Sequence, residues 1–137
     1  MKFEYAKGAA YASLSAGPIF LLALAIGALV TGEWAWRDFA VLLLSLPLVL
    51  LFAIPAGAII ATLPIAVGGF VMSWLGQHYP GTQNGGVWGL AGAVSALPLA
   101  TLLAGSSFLE FVAHFAATGV ICALIVRYGT RWSDDSV

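Results

Sequence analysis

Charge is what this chain has least of. Asp, Glu, Lys and Arg make up 8% of its 137 residues, against about 25% in a soluble domain, so an ordinary water-facing surface is excluded. Five Lys and Arg stand against six Asp and Glu, which excludes the concentrated positive footprint of a nucleic-acid binder. A lone cysteine, Cys122, rules out a disulfide framework and a C-x-x-C exchange pair. The chain also lacks a phosphate-cradling G-x-x-x-x-G-K, an acidic cluster for Ca²⁺ or Mg²⁺, and a Ser-His-Asp set gathered at one face. No cofactor and no metal are expected, and catalysis is not the expected role.

What is present is apolar. Hydrophobic residues make up 61% of the chain and the mean hydropathy is +1.00. The charges fall in four places: Lys2 to Lys7, Glu33 to Asp38, Glu110 alone, and Arg127 to Asp135. Lipid offers no hydrogen bonds to a bare backbone, so each apolar run of about 20 residues crosses as a helix or is buried in protein. The reading is an all-α integral membrane protein, a single domain over residues 1–137 built as a four-transmembrane-helix bundle. Its spans are placed at about 14–31, 39–61, 87–104 and 108–126. The first run is long for a signal-peptide core and has no clean small-residue cleavage site after it, so it is expected to remain as a span.

The run between Asp38 and Gln77 is too long for one crossing. Its 38 uncharged residues would make a helix of about 57 Å, nearly twice a ~30 Å hydrocarbon core. Pro47, Pro55 and Pro64 each remove a backbone donor, and Gly68-Gly69 loosens the helix further, so these are the expected kink sites, with Pro98 in the third span. The second helix is therefore expected to be kinked and extended, or to be followed by an interfacial, half-helical or re-entrant segment over 62–79. Charge parity favours four crossings. Lys2 and Lys7 precede the first span and Arg127 and Arg131 follow the last, and cations near span ends prefer the cytoplasm, which puts both termini there in a bacterial inner membrane. Trp34 and Trp36 then mark the outer boundary, while Trp74, Tyr79, Trp88, Tyr128 and Trp132 mark the inner one.

Small residues are spaced for close packing. Gly85 and Gly89 form a G-x-x-x-G step, and Gly92, Ala96, Ala100 and Ala104 continue the stripe at intervals of three or four, which lets helix backbones approach where no hydrophobic effect drives them together. The third helix is on this reading the middle of the bundle, with Gly119-x-x-x-Ala123 and Ala23-x-x-x-Gly27 as matching surfaces. A homo-oligomer interface is the competing use of the same stripe.

One pair of residues could carry chemistry. Glu110 and His114 stand four apart in the last span, hence on one helical face, where a carboxylate and an imidazole could pass a proton or hold a polar ligand. Ser107 to Glu110 also reads as a capping box, which would make Glu110 a helix cap instead. Arg37, with Glu33 beside it, is the natural counter-ion on the same side. The leading expectation is a non-catalytic bundle, a subunit or oligomeric partner in a membrane assembly, its partners being the lipid bilayer and other membrane chains. The alternative is a small proton-coupled transporter or channel built on Glu33, Arg37, Glu110 and His114.

Overall fold

The computed structural model describes residues 2–32, 35–104 and 108–133, with residues 2, 3, 36, 39, 103, 104, 108–110 and 133 described by backbone alone. The order is β1 (Lys2–Glu4), α1 (Ala6–Thr31), α2 (Trp36–His78), a 3-10 turn (Pro80–Gln83), α3 (Gly85–Ala104), α4 (Phe108–Gly129) and β2 (Arg131–Ser133). All four long helices are long and apolar enough to cross a membrane.

The helix ends follow local chemistry. Gly32 closes α1 in the left-handed region, φ +72°, where its N–H reaches back to Leu29 O; a side chain would be strained there. Asp38 opens α2 by accepting the Ala35 N–H at 2.9 Å, which also sets a carboxylate at the positive end of the helix. This cap was not expected from the sequence. Pro80 begins the short turn between α2 and α3, and the side chain of Asn84 accepts the Gly86 N–H at 2.8 Å just before α3.

The 39–76 run forms no hairpin. It lies within one uninterrupted helix of 43 residues, about 64 Å long at 1.5 Å per residue, and residues 62–78 simply continue it. The backbone stays helical through Pro47, Pro55, Pro64 and Gly68-Gly69. Each proline removes one donor, whereas a turn of non-helical backbone in apolar surroundings would strand several N–H and C=O groups at once. Continuity is the smaller loss. In α3, Pro98 is likewise accommodated within the helix. The neighbouring hydroxyls Ser95 and Thr101 donate to Gly92 O at 3.0 Å and to Pro98 O at 2.7 Å.

The middle helix is α4, not α3. It packs along α3 on one side and α1 on the other, while α1 carries α2; α2 meets α3 and α4 only over short stretches. The stripe on α3 is spent on α4. A Cβ built on Gly92 would overlap Gly119 O and lie 2.6 Å from Ala123 Cβ, and one on Gly119 would overlap Gly92 O. Gly89 and Gly85 face Val120 and Leu124, and Ala100 is fully buried. The buried core is small: Ala12, Ala16, Met72, Trp88, Cys122 and Val126.

The strands β1 and β2 pair antiparallel, Phe3 opposite Trp132 and Glu4 opposite Arg131. Residues 2–4 and 131–133 therefore lie side by side at one end of the bundle, with the end of α2 and the start of α3.

Candidate functional site

Among the described residues, two loci and a cavity bear on chemistry. The first is His114, in the second turn of α4. It is half-buried, and its imidazole lies directly on the backbone of α1, so that a Cβ on Gly27 would overlap Nε2. Gly27 is thus the gap that lets a ring enter between α1 and α4, a role the Ala23-x-x-x-Gly27 spacing did not reveal. The His114 carbonyl accepts Thr118 Oγ1 at 2.8 Å. Glu110 falls one turn earlier on α4, its side chain outside the described ones. Glu33 and Ser107 lie outside the described residues, and with Ser107 the expected capping box. Arg37 is exposed in the first turn of α2. The structure brings His114 to the α1 backbone at Gly27.

The second locus, at the strand end, was not anticipated. The Arg127 guanidinium stacks over the Trp132 ring, Cζ 4.5 Å from its centroid, and Nε donates to Gln83 O. Gln83 Nε2 donates to Gly76 O at 2.8 Å, and Trp132 Nε1 donates to Ser73 O at 3.3 Å. The Trp132 ring lies flush on Gly76, 3.1 Å from where a Cβ would stand, and meets Trp88 edge-on at 6.3 Å. Side chains from β2 and α4 thereby fasten the end of α2 to the turn before α3. The Ser73 hydroxyl and the Trp88 indole N–H are buried here without a hydrogen-bond partner. Trp88 is 1% exposed, so it is a core residue and not the headgroup-level ring expected of it. Trp74, Tyr79 and Tyr128 are exposed at this end.

The cavity lies between α2 and the other three helices. It measures about 310 Å³ and is walled by small and apolar side chains, among them Ala16, Phe20, Ala61, Met72, Ala91 and Phe115. It exists because α1 draws α2 close at one crossing, where Gly17 meets Ala53 O and Gly57 meets the Gly17 backbone, while nothing draws α2 onto α3. Two further small-residue contacts escaped the sequence reading. Gly8 meets Gly129 and Val126, and Ala12 meets Cys122, whose Sγ lies 3.8 Å from Ala12 O. Their signal was available, since Gly8, Ala12 and Ala16 recur every four residues and all three are buried.

Among the described residues, no three His, Cys, Asp or Glu side chains come close enough to share a metal ion. The chain matches no protein-family model, no curated protein and no solved structure.

Proposed function

We propose that the protein is a small polytopic protein of the bacterial inner membrane, non-catalytic, that acts as a subunit or oligomeric partner in a membrane assembly. The observation that carries this reading is α2. Its most apolar window has no buried residue, and Leu44, Leu51, Phe52, Ile59 and Leu63 are each at least two-thirds exposed along it. Lipid alone can cover such a surface, but α2 is also the longest of the described helices and, for its length, the least held by its own chain, which makes it the natural face for another membrane helix. At the strand end Arg127, Gln83 and Trp132 spend polar groups on fastening α2 to the turn before α3. Cytoplasmic termini are supported by Lys7, Arg127 and Arg131, which flank the strand end of the bundle.

The test is cysteine cross-linking in native membranes, in a Cys122→Ala background. Leu44→Cys and Leu51→Cys should give covalent adducts, either a dimer or a larger species, while Leu102→Cys on α3, 81% exposed, should not. No adduct from α2, or equal yield from the α3 control, overturns the assignment.

His114 favours a second reading, proton-coupled transport, because its imidazole occupies a helix interface with Glu110 one turn away. On that reading His114→Ala abolishes a pH-dependent flux in reconstituted vesicles and leaves the helical content unchanged. A parent protein without flux, or a variant with undiminished flux, removes it.

A further inference from the structure

We infer that the cavity beside α2 is a binding slot for one linear acyl chain of a membrane lipid. Its walls run along α3 from Trp88 to Leu99, a distance of about 16 Å, and along α2 from Ala53 to Met72, about 28 Å. At about 310 Å³ the space is roughly twice the ~150 Å³ that takes up benzene and far below the volume of an α-helix of ~10–12 Å diameter over the same length. Shape thus rejects a partner helix as the occupant.

Chemistry rejects water and polar ligands. The hydroxyls that border the space, Ser95 and Thr118, donate to carbonyls of their own helices; the Trp88 indole N–H, at one end of the lining, has no partner but is itself buried, and the other walls are apolar. Apolar cavities without polar partners stay dry and take up apolar molecules; one of about 150 Å³ suffices for benzene. Access comes from the side. Because α2 touches α3 only briefly, the slot opens between them toward the surrounding lipid. Gly68, on its wall, has nothing within 4 Å of where a Cβ would stand.

The inference rests on the membrane reading above, and the experiment separates the two. The parent chain, Gly68→Ala and Gly68→Leu are extracted from membranes, loaded with dimyristoyl- or diphytanoyl-phosphatidylglycerol, and examined by native mass spectrometry. The parent and Gly68→Ala should keep one dimyristoyl lipid per chain. The methyl-branched diphytanoyl lipid should be lost, and Gly68→Leu, whose side chain fills the slot, should lose both. If Gly68→Leu fails to fold, Ala91→Leu narrows the slot from α3, and the linear-versus-branched comparison on the parent stands regardless. Equal retention of the two lipids by the parent, retention of neither, or undiminished retention by a folded slot-filling variant overturns the slot alone. A parent chain released from membranes by alkaline carbonate overturns the membrane reading itself.

Discussion

The α3–α4 contact and the α2–α3 gap are built from similar residues with opposite outcomes. Gly92 and Gly119 bring two backbones into contact; Gly68, no larger, faces open space. What differs is reciprocity. On α3 and α4 a small residue on one helix meets a small residue on the other, at matched heights, so each backbone fills the gap left by its partner. Gly68 has no such counterpart. A stripe of small residues therefore yields tight packing only in pairs, and an unmatched one leaves room for something else.

Substitutions can break or sharpen this contrast. The largest effect is expected from Gly92→Leu, which drives a side chain into the Gly119 carbonyl and Ala123; destabilisation of about 3 kcal/mol or more is expected from such overpacking, seen as loss of folded protein in detergent. A variant melting like the parent would show that the α3–α4 contact has slack. Gly17→Ala comes next, because even one methyl overlaps Ala53 O. A cost of about 1–3 kcal/mol is expected, read from a denaturation midpoint in mixed micelles. Arg127→Gln removes the cation over Trp132 and its bond to Gln83, for a loss of about 1 kcal/mol. Tryptophan emission should shift as Trp132 loosens, and an unchanged spectrum would argue that Ser73, Gly76 and Trp88 hold the ring without the cation. Gly68→Ala is the smallest and has the opposite sign. It meets no neighbour and improves helix propensity, so a gain of up to about 1 kcal/mol is expected. A measured loss would mean that the gap is closed when the bundle sits in lipid.

The four apolar runs were legible because composition and length decide them without reference to neighbours. Continuity of α2 was legible only as one of two alternatives. Pro47, Pro55, Pro64 and Gly68-Gly69 read as kinks that an extended helix or a broken one could equally use, and the collective demand of backbone hydrogen bonding keeps the helix whole. The α3 stripe could be read from its spacing, but its partner could not, and neither could the identity of the central helix. The Gly8, Ala12 and Ala16 spacing was readable and was masked by the abundance of such residues. His114 stood out by its chemistry, yet its setting against Gly27 depends on how α1 crosses α4. The Arg127, Trp132 and Gln83 fastening joins residues 44 or more positions apart or on separate elements, and no local pattern announces it. The cavity is legible nowhere in the sequence, since it is defined by two helices that meet only briefly.

The pairing of Lys2–Glu4 with Arg131–Ser133 also imposes an order on biogenesis. Strand β1 is synthesised before the four helices and its mate after them, so the clasp can close only once residues 6–129 have been made. A nascent chain arrested before Arg131 would carry an unpaired β1 whatever the state of its helices.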